Sequence, residues 1–192
     1  MPNQEANTDV KRDEYGLVIP VHRGMVLFVV PPRDFAEATL RHARSCLLTV
    51  DLGSRTVSTP DADLVHGLRQ DEFQPDGLLR EAKMDAYAGV VFCGGPGALS
   101  LVDDADVLRL TREAVAQGKT IAAWGHSTAL IARTYIVRGR RVTGHPSQRE
   151  ALALAGAVFT GAPVEVDGTL VTGIDDTAGY RFGRALARLV QP

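Results

Sequence analysis

Residues 119–130 read KTIAAWGHSTAL, and the way this stretch is parsed decides the fold. TIAAW (120–124) is a short uncharged apolar run, the pattern of a strand covered on both faces. The alanine-containing TALIARTYI (128–136) that follows predicts a helix. A buried strand that turns abruptly into a helix is where many α/β enzymes expose a nucleophile. Here the residue at the turn is Gly125, which has no side chain with which to attack.

The same alternation extends outward from the elbow. MVLFVV (25–30) is a continuous apolar strand stopped by Pro31 and Pro32, and DFAEATLRHARS (34–45) predicts a short helix with Asp34 as N-cap. CLLTVDLG (46–53) reads as a second strand, with RTVST (55–59) and FQPDGLL (73–79) as a hairpin-like excursion. LREAKMDAY (79–87) is amphipathic and leads into the strand GVVFCGG (89–95). Asp103 or Asp104 can cap a helix that runs to about Gln117 and closes at Gly118. RRVTGHP (140–146) predicts a short strand and SQREALALAG (147–156) a helix. VEVDGTLVTG (164–173) predicts a hairpin around Asp167-Gly168, and residues 177–190 a closing helix. Strands alternating with helices imply a mostly parallel sheet covered on both faces.

Composition bounds the function. The 192 residues suit one domain at 24–192, preceded by a polar arm at 1–23. A net charge of −2 and the lack of a basic stripe argue against nucleic acid as a partner. No apolar run reaches the roughly 20 residues of a membrane span, and the N-terminus lacks a signal-like apolar stretch, so a cytoplasmic location is expected. Cys46 and Cys93 both lie in apolar runs and read as buried hydrophobes rather than redox or nucleophilic groups. No His, Cys, Asp or Glu triplet has zinc spacing, and GGPGA lacks the lysine of a phosphate loop, so neither metal nor cofactor is expected.

Four segments in order, GVVFCGGPGA (89–98), GKTIAAWGHSTALIA (118–132), GRRVTGHP (139–146) and VDGTLVTG (166–173), resemble the DJ-1/PfpI family, relatives of the class I glutamine amidotransferases. The resemblance covers about residues 25–190 and implies a flavodoxin-like three-layer α/β sandwich that commonly forms a homodimer. In that family the elbow resembles A-I-C-H-G. Aligned on GKTIAA, this chain places Gly125 at the cysteine, His126 at the histidine and Ser127 at the following glycine. The family's acidic partner of the cysteine falls on Glu37 when counted without a gap, or on Thr39 in a register anchored at Phe35. Gly94 and Gly95 match its oxyanion-binding pair, and His145 matches a position close to its active site. Where the family has a loop like T-S-R-G-P, this chain has TGIDDTA, so that Asp175 and Asp176 bring acid to it.

Without a thiolate the family's covalent chemistry does not carry over. The space at Gly125 can instead receive a ligand. Glu37, a carboxyl under the elbow, suits proton transfer, and His126 can act as base or orient a ligand. Trp124 reads as a core residue or as a stacking platform. The expected function is a cofactor-free enzyme acting on a small carbonyl- or hydroxyl-bearing metabolite by isomerisation, (de)hydration or cyclisation. Glu37 and His126 are its candidate catalytic groups. Gly94, Gly95, Trp124, Gly125, Ser127, His145 and Asp175 would bind the substrate. Two other readings stand beside it: an inactive ligand-binding protein, and a serine hydrolase in which GHSTA presents Ser127 as nucleophile.

Overall fold

The computed structural model describes residues 22–191. All but the last two residues of the predicted arm at 1–23 lie outside that range. Eleven strands are formed: β1 (Gly24–Val29), β2 (Leu52–Ser58), β3 (Val65–His66), β4 (Glu72–Phe73), β5 (Gly77–Leu78), β6 (Gly89–Phe92), β7 (Thr120–Trp124), β8 (Arg141–Val142), β9 (Val158–Phe159), β10 (Val164–Asp167) and β11 (Leu170–Gly173). The helices are α1 (Glu37–Leu48), α2 (Ala105–Ala116), α3 (Thr128–Arg133), α4 (Arg149–Leu154) and α5 (Gly179–Val190). Seven strands make the central sheet in the order β10-β11-β7-β6-β1-β2-β5, parallel throughout except for the β10–β11 hairpin.

Period-two alternation sends successive side chains to opposite faces and builds two cores. In β7, Ile121 and Ala123 face Leu110 of α2, Ile131 of α3 and Leu152 of α4. Ala122 and Trp124 face Leu40 and Leu47 of α1 and Phe182 and Leu186 of α5. This is the three-layer sandwich that the sequence predicts. Asp104 caps α2 as expected, its carboxylate accepting from the N–H groups of Asp106 and Val107.

Three local readings are corrected. Cys46, Leu47 and Leu48 belong to α1, because Leu40, Ala43, Cys46 and Leu47 recur at the helical period and are buried together. The second strand is therefore LGSRTVS (52–58), and RTV is part of it rather than of an excursion. Thr56 and Ser58 within it are buried with partners: Thr56 bonds Asp76 through its N–H (2.7 Å) and Oγ1 (2.8 Å), and Ser58 Oγ donates to Val30 O at 2.7 Å. The hairpin of this region is β3–β4, and Gly77–Leu78 pairs in parallel with β2. Asp34 does not cap α1. It has φ 53°, and the N-cap is Ala36, which offers no side-chain bond.

In an open parallel sheet, ligands bind beyond the carboxyl ends of the strands, where successive connections leave toward opposite faces. Here that point lies between the neighbours β1 and β6. The chain after β1 leads to α1 on one face, and the chain after β6 leads to α2 on the other. Glu37, Gly94 and Gly95 lie at that point, one strand away from the elbow that follows β7.

Candidate functional site

The elbow forms where the sequence places it. Gly125 follows β7 with φ +60°, a left-handed conformation that L side chains rarely adopt, and begins a single 3-10 turn before α3. Among the described residues, its two chain neighbours apart, a Cβ at this position would meet the Asp175 Cα at 3.6 Å and the Gly95 N at 4.0 Å, which are ordinary contacts. The Gly125 carbonyl is fixed from two sides, by the His145 N–H (3.2 Å) and by Thr128 Oγ1 (2.8 Å). Room for a side chain therefore exists in a rigidly held turn.

Gly94 and Gly95 border this space. The Gly94 carbonyl accepts from the Ala36 N–H at 2.8 Å, which joins the start of α1 to the turn after β6. Gly95 has φ +107°, and a Cβ there would collide with the Asp34 carbonyl oxygen. Among the described residues neither N–H of the pair donates to a protein acceptor. The Gly95 N–H, close to the Gly125 space, is therefore available to a ligand oxygen.

His126 and His145 are brought together. Their rings stack at 4.0 Å between centroids with 20° between planes. Burial, followed by the proximity of His145, lowers the proton affinity of His126. Two imidazolium charges about 4 Å apart would repel by about 1 kcal/mol in water and about 4 kcal/mol at an effective dielectric of 20. With its proton affinity lowered, His126 stands as a neutral base beside the elbow at pH 7.

The carboxylates divide into different roles. Glu37 is only 1% exposed. Its Oε1 accepts from the Arg69 N–H and, at 3.4 Å, from the Asp71 N–H, while Oε2 is buried without a partner among the described residues. Half of the carboxylate therefore holds the 67–71 loop, and half is uncommitted. Thr39, the alternative acidic position, is fully buried and consumed by the fold. Its Oγ1 donates to the Asp176 carbonyl and accepts from the Gly179 N–H, both at 3.1 Å. Asp176 caps α1 from 137 residues away, accepting from the Thr39 N–H at 2.7 Å. Asp175 walls the Gly125 space with its backbone, while its Oδ1 accepts from the N–H and hydroxyl of Thr177.

Two expected ligand contacts are corrected. Trp124 is fully buried and packs edge-on against Phe182 at 5.4 Å, with its ring edge against Gly94, so it belongs to the core and offers no stacking face. Ser127 is fully buried as well. Its Oγ accepts from the Trp124 N–H (3.1 Å) and lies 2.7 Å from Phe92 O and 2.9 Å from Trp124 O. A hydroxyl locked among three backbone groups has no substrate to attack, and the hydrolase register fails on that geometry. Burial also pushes the Cys93 thiol well up, against the opposing charge of Arg44, and raises Cys46 against that of Arg184. Neither is a nucleophile at pH 7. Among the described residues no group of three His, Cys, Asp or Glu side chains could hold a metal ion. No helix among them is long and apolar enough to cross a membrane.

Sequence reasoning missed the Thr39–Asp176 clamp, because no local signal marks partners so far apart. It also missed Ser147 and Gln148, which lie next to His145 in space; the sequence offers only their adjacency to the His-Pro step.

The profile of the DJ-1/PfpI family matches residues 25–189. An uncharacterized protein of Methanocaldococcus jannaschii is 25% identical over 169 residues, which cover 86% of this chain and 82% of that one. The isonitrile hydratase of Pseudomonas putida is 30% identical over 95 residues, covering 50% of this chain and 42% of the relative. Among solved structures, a ThiJ/PfpI domain protein from Brachyspira murdochii superposes with a TM-score of 0.83 at 20% identity, covering 88% of this chain and 98% of that one. At that identity the likeness concerns the fold alone.

Proposed function

The chain belongs to the DJ-1/PfpI family, and on that premise we propose that it is a cofactor-free enzyme working by acid/base chemistry, with no cysteine nucleophile, on a small carbonyl- or hydroxyl-bearing metabolite. The observation that carries this reading is the space at Gly125, which has beside it the Gly95 N–H, without a protein acceptor among the described residues, and next in sequence His126, whose ring stacks on that of His145. A carbonyl oxygen seated against the Gly95 N–H gains negative charge as a proton leaves the adjacent carbon or as water adds to the carbonyl carbon. His126 takes that proton, and the Glu37 carboxyl moves the second one through its uncommitted oxygen. Isomerisation, (de)hydration and cyclisation all fit this exchange. The Pseudomonas putida relative is named for a hydration. A cytoplasmic homodimer belongs to the same proposal, and light scattering on the purified chain tests the dimer.

A second reading, a ligand-binding protein without catalysis, is favoured by one observation: Glu37 Oε1 is already committed to the 67–71 loop. The test that separates the two is turnover of a panel of small aldehydes, ketones and hydroxy acids followed by proton NMR in deuterated water. The enzyme exchanges or converts at least one of them, and Glu37→Gln lowers that rate roughly 100-fold while the chain stays folded. Conversion by Glu37→Gln at the wild-type rate removes Glu37 from the mechanism. Binding without exchange or conversion across the panel establishes the second reading.

A further inference from the structure

His145 is held on one side by the short turn that follows it. Its Nδ1 lies 2.7 Å from Ser147 Oγ and 3.3 Å from the Ser147 N. Gln148, only 8% exposed, donates from Nε2 to the same Ser147 Oγ at 3.0 Å. A hydroxyl can reverse its hydrogen, and an amide side chain can flip, but a backbone N–H can only donate. The Ser147 N–H aimed at Nδ1 therefore requires a lone pair there, and the ring proton of the neutral imidazole must sit on Nε2. With Gln148 donating to its oxygen, the Ser147 hydroxyl is free to add its own hydrogen to the same lone pair. On the other side, the His145 N–H is bonded to the Gly125 carbonyl and its ring lies on His126. Among the described residues no protein group bonds Nε2 of His145 or either ring nitrogen of His126.

We propose that Ser147 and Gln148 are positioning residues that hold His145 as the Nε2–H tautomer, so that the stacked pair offers a ligand at Gly125 one fixed hydrogen-bond donor, His145, and one free base, His126. The offer to a ligand rests on the function proposed above; the tautomer does not. Two stacked imidazoles free to exchange tautomers would each present donor and acceptor in turn. Fixing one of them divides the labour: His145 polarises the ligand's oxygen, and His126 is left to accept the proton. The substrate implied is one with an acceptor atom and an abstractable proton close together, as in an α-hydroxycarbonyl compound. The arrangement is local, its bonds lying within the four residues His145–Gln148, and it uses none of the bonds that hold Glu37.

The test is long-range proton–nitrogen correlation NMR on the full ¹⁵N-labelled chain, with the His145 ring signals identified by their loss in His145→Gln. The wild-type ring is expected to show a protonated Nε2 and an unprotonated Nδ1. Ser147→Ala, which removes one of the two donors, raises the Nδ1–H population about five- to tenfold, the scale of one hydrogen bond. Ser147→Thr, which keeps the hydroxyl and the N–H, restores the wild-type ratio. A merely structural Ser147 would alter the melting temperature without moving the tautomer ratio. The wild-type spectrum tests the idea even if a variant does not fold: a predominant Nδ1–H tautomer overturns it, as does an unchanged ratio in folded Ser147→Ala. Neither result bears on Glu37→Gln turnover, so this inference and the proposed function can fail separately.

Discussion

Four consecutive residues, Trp124, Gly125, His126 and Ser127, fall into two pairs. The outer two are fully buried, one in edge contact with Phe182 and the other bonded to the backbone of Trp124 and of Phe92 at the end of β6. The inner two are held by their backbone but keep their functional space: Gly125 has room for a side chain, and His126 has ring nitrogens without protein partners among the described residues. The outer pair makes the elbow rigid, and the inner pair uses that rigidity. The elbow is thus built and held with a glycine at its apex.

The contrast is sharpest for Trp124. Removing its ring leaves a large cavity between β7 and α5, and Trp124→Ala should destabilise the fold by about 3–5 kcal/mol, read as a fall in the urea midpoint. A loss below about 1 kcal/mol would mean that the ring is not a core element and would break the comparison. Ser127→Ala should cost about 1–3 kcal/mol, because it strips a buried hydroxyl from the backbone groups it serves. Hydrolytic activity abolished by this change in a chain of unaltered stability would instead revive the serine reading.

His126 gives a smaller, pH-dependent effect. Burial and the neighbouring His145 lower its proton affinity in the folded chain. Between the folded value and the ordinary histidine value the unfolded chain binds more protons, so stability is full above that window and falls as pH drops through it. Wild-type stability should therefore decline from about pH 7 toward about pH 5 more than that of His126→Gln does. The acid limb of turnover should also lie below the ordinary histidine range. A wild type that gains stability relative to His126→Gln on acidification would reverse the assigned direction.

What the sequence disclosed follows the same division. β1, β6, β7 and β11 were legible because strands buried on both faces are written as apolar runs. Gly125 was legible because it stands where an apolar strand gives way to a helix. β2 was not, since Thr56 and Ser58 are polar letters whose burial depends on Asp76 and on the Val30 carbonyl elsewhere in the chain. Cys46 and Leu47 were misread because three or four apolar residues suit a helix end as well as a strand. In the site, the resemblance led to Glu37 and His145 but could not say what holds them. Only the fold brings the Arg69 N–H to Glu37 and Asp176 to the start of α1. Trp124 and Ser127 were assigned to the substrate because they flank the elbow, yet flanking positions on a tight turn point into the sheet.

The central claim is that the space at Gly125 belongs to a ligand. Gly125→Cys tests it most directly, because a side chain there meets only ordinary contacts and the positive φ costs about 1–2 kcal/mol, a loss the fold can absorb. The measurement is turnover and binding of whichever compound the wild-type chain converts, on folded Gly125→Cys protein. The account predicts that both fall, since the thiol occupies ligand space beside the Gly95 N–H, and that the new thiol reacts with small aldehydes. Unchanged turnover and binding in the folded variant would contradict it and leave the space at Gly125 without a function.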